Sequence, residues 1–299
     1  YNYTSNNKFT LIPGLRVDRH NNYGLFVTPR LHAKYNFKDN SVIKMVVGRG
    51  LRTASVFAEN LGLFSSNRII DIRGGDSDNP YGLDAEVAWN MGLSFLQEFD
   101  IKEKKLVLSA DIYRTQFENQ IVADFENARF ISFYNLEGKS YSNSFQIKLE
   151  YELIKNLDVR AAFRIFDVQT TYDSGLKEKP MVSKHRAFVN LGYKTESDWH
   201  FDFTLNWKGR QRLPDTSANP EEFRRSEYAP SFFLANAQVM KRWGKKWDLY
   251  VGGENILNFK QENPIQEAAN PFDQNFDAGL VWGPIFGRMF YGGFRLRLK

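Results

Sequence analysis

Few side chains in this sequence could bind a metal or activate a nucleophile. The four histidines are His20, His32, His185 and His200, and none has the spacing of metal ligands such as H-x-x-x-H. The hydrolase signature G-x-S-x-G does not occur, and a pairing of His200 with Ser231 on adjacent strands has no further support. Cysteine is absent, which removes disulfides, thiol catalysis and cysteine metal sites. We expect no catalytic residue, no metal site, no cofactor and no enzymatic activity.

The glycines Gly48 and Gly50 do not indicate a phosphate-binding loop. They lack the strand–turn–helix setting and the following Lys-Ser/Thr of that motif. We interpret them as residues that let the end of a strand bend. Nucleic-acid binding is not indicated either, because lysine and arginine are scattered along the chain although the net charge is +5 and the pI is about 9.1.

The chemistry that remains is recognition by arginine and aromatic side chains in the long polar segments. Arginine together with aromatic rings suits an anionic chelate or another planar, negatively charged ligand. Solvated loop side chains, or contacts to surface polysaccharide, explain each of these residues equally well. The candidate ligand-binding residues are Arg73, Asn79, Tyr81, Arg224, Arg225, Phe272 and Trp282.

The elements that must position these segments are predicted by an alternation of apolar and polar residues with period two. Residues 199–208 are the clearest case, with an entirely apolar face that has a tryptophan at each end and an entirely polar opposite face. The same pattern recurs near 89–95, 106–112, 145–152, 157–165 and 290–299. Aromatics make up 15% of the chain while the mean hydropathy is −0.49, and no stretch approaches the ~20 apolar residues of a membrane-spanning helix.

Strand length and connection length favour a membrane barrel over a soluble sandwich. The alternating segments commonly run well beyond the ~5–6 residues of soluble strands and are long enough for a tilted membrane strand of about 9–11 residues. Short turns near 38–40, 102–104, 154–156, 196–198 and 244–246 alternate with long loops near 52–83, 126–140, 172–184, 212–229 and 259–283. Short turns on one side of the sheet and long loops on the other are typical of outer-membrane barrels. The connection near 20–23 is the one short member of the long-loop side.

We therefore predict an all-β fold, a transmembrane antiparallel β-barrel with about 12 strands in this chain. The predicted spans are 8–19, 24–37, 41–51, 84–99, 105–125, 130–153, 157–171, 185–195, 198–211, 230–242, 246–258 and 285–298. Residues 54–66 could form a short helix that caps the barrel mouth. The tryptophans near strand ends predict a membrane girdle formed by Trp89, Trp199, Trp207, Trp243 and Trp247. Filling of a soluble core is the alternative role for these rings.

Several motifs together resemble TonB-dependent receptors, and most closely the branch found in Bacteroidetes. They are GRGLRTA at 48–54, AENLG at 58–62, AWNMGLS at 88–94, YNLEGKSYS at 134–142, KPMVSKHR at 179–186, GENILN at 253–258 and FYGGFRL at 290–296. The resemblance runs over essentially the whole chain and depends on the order and spacing of the motifs. One departure is the end at Leu298-Lys299, where the nearest aromatic residue is Phe294.

The resemblance implies that residues 1–299 are the C-terminal part of a 22-stranded barrel whose lumen holds a plug. The plug, the N-terminal strands, the TonB-binding segment and a signal peptide are not seen in the sequence. The implied partners are outer-membrane lipid, the missing barrel half and plug in the same or a separate chain, TonB, and other outer-membrane proteins. In this family Arg160, Arg164, Arg295 and Arg297 would point into the lumen and touch the plug.

For function, the resemblance implies active uptake across the outer membrane of a Gram-negative bacterium. A ligand such as a metal chelate or another nutrient would bind the loops and plug, and energy delivered through TonB would rearrange the plug. Two alternatives remain open: a non-transporting structural barrel subunit of a larger outer-membrane complex, and a self-contained 12-stranded pore.

Overall fold

The computed structural model describes residues 3–5, 8–53, 55–75, 78–244 and 246–297. The strands are β1 Tyr3–Ser5, β2 Phe9–His20, β3 Gly24–Lys38, β4 Ser41–Arg52, β5 Ile69–Arg73, β6 Glu86–Ile101, β7 Lys104–Asn119, β8 Ile121–Asp124, β9 Phe130–Asn135, β10 Ser140–Ile154, β11 Leu157–Tyr172, β12 Gly175–Glu178, β13 His185–Lys194, β14 Trp199–Lys208, β15 Gln211–Arg212, β16 Tyr228–Ala229, β17 Phe232–Trp243, β18 Trp247–Glu254 and β19 Met289–Leu296. The helical turns are α1 Val56–Glu59 and two 3₁₀ turns, Pro80–Gly82 and Glu221–Phe223.

One antiparallel sheet of 14 strands forms the wall of the molecule. Its order is β1-β2-β3-β4-β6-β7-β10-β11-β13-β14-β17-β18-β19, and β12 pairs with the end of β11. Twelve of these strands are long, which confirms the predicted all-β fold and strand number. In the described part of the chain, β1 and β19 are the two edges of the sheet. No helix among the described residues has the length and apolarity that a membrane span requires.

Period-two alternation places apolar and polar side chains on opposite faces of this wall. Phe201 is paired with Tyr193 and Val239, and Phe203 with Leu191 and Ala237, so one face is continuously apolar across three strands. Both rings are exposed in the part of the chain that the structure describes. The face that presents polar residues is covered at one end by the long loops. The apolar face is therefore the outer surface of a wall, and the polar face lines its interior.

Short turns and long connections alternate as the sequence predicts. The short turns join β3 to β4, β6 to β7, β10 to β11, β13 to β14 and β17 to β18. In the β6–β7 turn both Lys102 and Glu103 have positive φ values, 50° and 67°, the pattern of a type I′ turn whose twist matches that of the flanking strands. These five turns lie at one end of the wall, because successive strands are antiparallel, and the short connection between β2 and β3 lies at the other end.

The apolar core lies in the long loops at the other end of the wall. We call this body the loop cap and define it as residues 53–85, 120–139, 173–184, 209–231 and 255–288 as far as they are described. Its buried cluster consists of Val56, Leu83, Phe125, Ile131, Phe133 and Leu280, drawn from three connections. A three-stranded sheet of order β5-β9-β8 crosses it, with β5 parallel to β9. The loops thus form a packed unit with its own core.

Several predicted boundaries were wrong for the same reason. The span 105–125 is divided at Gln120 into β7 and β8, and 130–153 is divided into β9 and β10. The span 198–211 is likewise divided into β14 and β15, and 285–298 is reduced to β19. In each case residues with strand character leave the wall and join the loop cap. The helix expected within 54–66 has only four residues. Ala54, Lys245, Leu298 and Lys299 lie outside the described residues.

Candidate ligand-binding site

Two buried ion pairs join different connections of the loop cap. Arg212 donates two hydrogen bonds to the Glu126 carboxylate, at 2.9 and 2.5 Å, and both side chains are more than nine-tenths buried. Burial lowers the pKa of Arg212, but the hydrogen bonds and charge of Glu126 outweigh it, and the net pKa is raised. Arg68 pairs with Asp277 at 2.6 Å in an equally buried position. Buried charges persist only when paired and hydrogen-bonded, so each pair fixes two loops relative to each other.

An outer cavity of about 850 Å³ lies between the last two long connections. Arg224, Arg225 and Trp282 line it, so the structure brings together three of the predicted ligand-binding residues. Arg224 donates to the carbonyl of Asn219 at 3.0 Å, and Arg225 donates through Nη2 to the carbonyl of Asn263 at 3.1 Å. The Nε atom of Arg225 is buried without a partner in the described structure, and burial lowers the pKa of this guanidinium.

Arg73 lies elsewhere in the cap and is held by carboxylates. It donates to Asp71 at 2.7 Å, to Asp173 at 2.7 Å and to the hydroxyl of Ser132 at 2.9 Å. The hydrogen bond to Asp71 and then that to Asp173 raise the pKa of Arg73. The adjoining cavity of about 410 Å³ is lined by two further carboxylates, one of them Asp124. Its surroundings are therefore acidic, which disfavours an anionic ligand at Arg73.

The other three predicted loop residues are not brought together. Asn79 precedes the 3₁₀ turn Pro80–Gly82 and donates to Asp84 at 2.9 Å. Tyr81 lies in that turn with φ of 60° and packs edge-on against Phe57. Phe272 is 95% exposed at the tip of the last loop. Asn79 and Tyr81 contribute to local structure, and Phe272 is available for contact from outside.

Trp282 belongs to an aromatic trio that separates the outer cavity from the interior of the wall. Phe232 and Phe259 stack with ring centres 4.4 Å apart, and Trp282 lies 6.1 Å from the first and 6.3 Å from the second. The Trp282 carbonyl accepts hydrogen bonds from Lys208 at 3.2 Å and Gln211 at 2.8 Å. The last loop is thereby anchored to the upper end of β14.

An inner cavity of about 560 Å³ lies below this trio, between the wall and the last loop. Its cations are Arg164, Arg186 and Lys208, contributed by β11, β13 and β14. Of these three cations, only Arg164 is among the arginines that the sequence analysis placed in the lumen. Arg186 and Lys208 lie on the polar face of their strands and are direct pairing partners. The alternation of the sequence therefore predicts that both face the interior of the wall. What the sequence did not show is that residues 281–284 fold back over them.

The five tryptophans of the predicted girdle lie near strand ends, on the apolar face of the wall. Trp199, Trp243 and Trp247 are exposed at the short-turn end, and Trp243 pairs directly with Trp247. Trp207 lies at the loop-cap end of the strand that begins at Trp199. Their eight-residue separation spans about 26 Å along the strand, or about 20 Å after a typical tilt, which is comparable to the ~25 Å apolar band of a barrel.

Trp89 lies at the loop-cap end as well. Its indole Nε1 donates to Glu118 at 2.8 Å, and Glu118 also pairs with Arg49 at 2.7 Å. This polar cluster directly adjoins exposed Met91 and Leu93 on the same strand. Trp89 therefore marks a boundary between an apolar and a polar zone of the outer surface.

Metal-ligating side chains are not clustered in the part of the chain that the structure describes. No group of three or more His, Asp or Glu residues there could hold a metal ion. His200 lies on the polar face of β14, and its Nε2 is buried without a partner in the described structure.

Comparison with known proteins gives a family and a fold. The family model described as "TonB dependent receptor-like, beta-barrel" matches residues 1–256. Among solved structures, the chain is similar to the ferric enterobactin receptor PfeA of Pseudomonas aeruginosa (17% identity, TM-score 0.72, 97% of this chain and 43% of that one). It is also similar to the ferric-catecholate import receptor Fiu of E. coli K12 (12%, 0.65, 96% and 42%) and to the copper transporter OprC (14%, 0.66, 99% and 46%). The chain thus spans less than half the length of these structures. A search of curated proteins found no match.

Proposed function

Because the chain belongs to the TonB dependent receptor-like β-barrel family, we propose that it forms part of the wall of an outer-membrane receptor that takes up a ligand with energy delivered through TonB. The observation that carries this proposal is the folded loop cap at one end of a membrane-type wall. The cap has its own apolar core and two buried ion pairs. Cavities lie within it and directly below it, where a ligand arriving from outside would first be held.

The two faces and the two edges of the wall support a proposed location and proposed partners. Its apolar outer face suits lipid, so we propose the outer membrane of a Gram-negative bacterium as its site. In lipid, unpaired strand edges at β1 and β19 would leave backbone groups without hydrogen bonds. We therefore propose that further strands, in the same or a separate polypeptide, pair with these edges. Membership of the receptor family implies that these strands complete a 22-stranded barrel that holds a plug. TonB would act on that plug, and the wall itself would perform no covalent chemistry.

The ligand class is proposed as a metal chelate or another nutrient. PfeA is named as a ferric enterobactin receptor, Fiu as a ferric-catecholate import receptor and OprC as a copper transporter. Arg224 and Arg225 beside the outer cavity suit the negative charge that many chelates carry. An aromatic wall formed by Trp282 adds contact area for a planar group.

Growth tests on a deletion strain examine this proposal. We expect the strain to lose growth on one defined source of iron, copper or another nutrient, and to regain it with the full-length protein only when TonB is present. Intact-mass measurement of the cellular protein shows whether the strands and plug belong to the same polypeptide. Complementation without TonB would favour a passive pore instead. No growth defect on any source, together with loss of an outer-membrane complex, would favour the non-transporting scaffold.

A further inference from the structure

We propose that the outer surface of the wall binds the phosphate group of a phospholipid at the short-turn end, through Lys241 and the tryptophans Trp199, Trp243 and Trp247. We call these four residues the lysine–tryptophan cluster. The inference rests on the outer-membrane location in the proposed function and goes beyond uptake, because it concerns the lipid around the wall. The observation that carries it is an ammonium group without a carboxylate partner in the described structure, among tryptophans on the face that meets lipid.

Lys241 lies on the apolar face of β17, near its short-turn end. It pairs with Trp199 on β14 and with Leu249 on β18, and both of these side chains are exposed. Trp243 follows on the same face of β17 and pairs directly with Trp247. Adjacent strands lie about 4.8 Å apart, and residues two apart on one strand lie about 7 Å apart. The lysine–tryptophan cluster is therefore one small patch of the outer surface.

Neither further strands nor a plug would cover this patch. The strands β14, β17 and β18 each have a neighbour on both sides within the sheet. Strands that pair with the edges at β1 and β19 would extend the wall beside the patch, and a plug inside the barrel would lie against the opposite, polar face. A group that meets the cluster must therefore come from the membrane, and lipid headgroups surround a barrel at this level.

The Lys241 ammonium has no acidic partner in the part of the chain that the structure describes. It lies 5.3 Å from the centre of the Trp199 ring and donates to the carbonyl of Ser197, and neither contact neutralises its charge. An unpaired ammonium beside apolar side chains attracts an anion more strongly than one in bulk water. Four other lysines at the short-turn end differ, because each pairs with a carboxylate: Lys104 with Glu152, Lys105 with Glu98, Lys155 with Glu196 and Lys194 with Asp198.

The three indole rings of the cluster add hydrogen-bond donors. Trp199, Trp243 and Trp247 are exposed, and none of their Nε1–H groups has an acceptor in the described structure. Tryptophan at a membrane interface places its apolar ring in lipid and its N–H group at the headgroups. A phosphate diester supplies one negative charge and several oxygen acceptors, which matches one ammonium with neighbouring neutral donors.

The position of the cluster assigns the phosphate to one leaflet. Short turns of outer-membrane barrels face the periplasm, so the cluster lies at the level of headgroups in the periplasmic leaflet. The tryptophan at the other end of β14 has different surroundings, because Trp207 pairs with Ala187 and Phe233 and with no cationic residue. The phospholipid site is therefore specific to the short-turn end of this part of the wall.

Native mass spectrometry of the full-length protein in a non-ionic detergent tests the site. The probe is dioleoyl phosphatidylglycerol. The comparison ligands are dioleoylglycerol, which has the same chains without the phosphate, and inorganic phosphate, which has no chains. The variants are Lys241→Gln and Trp243→Phe, with Lys241→Arg as the charge-preserving variant. The matched control is Lys155→Gln, which removes a lysine charge from a turn at the same end of the wall.

We expect both comparison ligands to bind about tenfold more weakly than phosphatidylglycerol. Lys241→Gln should weaken the affinity for phosphatidylglycerol by about tenfold, the effect of losing one charge-assisted contact. Trp243→Phe keeps an aromatic ring and loses one donor, so it should weaken the affinity by about threefold. Lys241→Arg and Lys155→Gln should stay within about twofold of the unchanged protein. A heat-modifiability gel identifies variants that fail to fold, and Trp243→Phe carries the test if Lys241→Gln does so.

Three results would overturn the proposal. The first is equal affinity for phosphatidylglycerol in all variants, and the second is an equal loss in Lys155→Gln. The third is loss of a co-purifying membrane protein in Lys241→Gln with unchanged lipid affinity, which would assign the patch to a protein partner. Lipid binding as expected, in a protein whose deletion causes no growth defect, contradicts the proposed uptake alone. A TonB-dependent growth defect together with equal lipid affinity in all variants contradicts this site alone.

Discussion

Replacing Glu126 by glutamine should open the loop cap while the wall stays folded. The change leaves the Arg212 guanidinium buried, with neutral partners only, the carbonyls of Glu178 at 2.7 Å and Leu213 at 3.2 Å. Removing one member of a buried ion pair costs about 3–5 kcal/mol, because the other charge is left without compensation. The local opening equilibrium of the cap should therefore rise by between about two and three and a half orders of magnitude.

The reverse substitution, Arg212→Met, should cost less. Lys177 lies 3.8 Å from the Glu126 carboxylate, and the amide of Asp215 donates to it at 3.3 Å. Both contacts remain when Arg212 is lost, so the orphaned carboxylate keeps a counter-charge. The double variant Glu126→Leu with Arg212→Met should be less destabilised than the sum of the single variants, since the two sites share one interaction.

Hydrogen exchange measured by mass spectrometry on the full-length protein is the assay. Amides of β8, β9 and β15 should exchange faster in Glu126→Gln, less so in Arg212→Met, while amides of β13 and β14 keep their protection. Faster exchange through the whole wall would show that the cap is not a separate cooperative unit. Unchanged exchange in β8 and β9 would refute the role assigned to the ion pair.

Three further perturbations test other parts of the structure. Burial, followed by its hydrogen bond to a carboxylate, raises the pKa of Tyr134. The folded state therefore favours the protonated phenol, and the stability of the cap should fall as the pH rises above about 10. In Tyr134→Phe, the loss of near-ultraviolet circular dichroism at alkaline pH should be weaker. Gly138 has φ of 132°, and an added Cβ would lie 2.7 Å from a threonine hydroxyl. Gly138→Ala should therefore lower the free energy of unfolding, measured with denaturant, by ~1–3 kcal/mol. Gly192→Ala, where an added Cβ would meet open space, should lower it little. Phe203→Lys places a charge in the lipid-facing band and should cost ~2–4 kcal/mol, against a small effect for Thr204→Lys on the opposite face; equal costs would contradict the assignment of faces.

The wall could be predicted from the sequence because its signals are local. The alternation at 199–208 fixes which side chains share a face, whatever the rest of the chain does. A turn such as Lys102-Glu103 sets the pairing of its two strands through neighbouring residues. Each long strand then pairs with the next long strand along the chain. The number of strands and the alternation of short turns with long loops can therefore be predicted without knowledge of distant contacts.

The loop cap could not be predicted because its contacts are distant in sequence. Arg68 meets Asp277 across 209 positions, and β5 pairs in parallel with β9. No short pattern in either partner indicates the other. The residues 121–124 and 130–135 were merged with wall strands for this reason, since strand character alone does not show which sheet a segment joins. The inner cavity was missed in the same way, because its roof at Trp282 comes from a separate connection.

The most direct test of the membrane assignment is a spin-label scan of β14. The chain contains no cysteine, so single cysteines at positions 200 to 206 can each carry a nitroxide in the protein embedded in its own membrane. We expect collision with oxygen, which concentrates in lipid, to peak at positions 201, 203 and 205, and collision with a water-soluble nickel complex not to peak there. Equal oxygen accessibility at all positions, or maxima at 202 and 204, would contradict a wall whose phenylalanine face meets lipid.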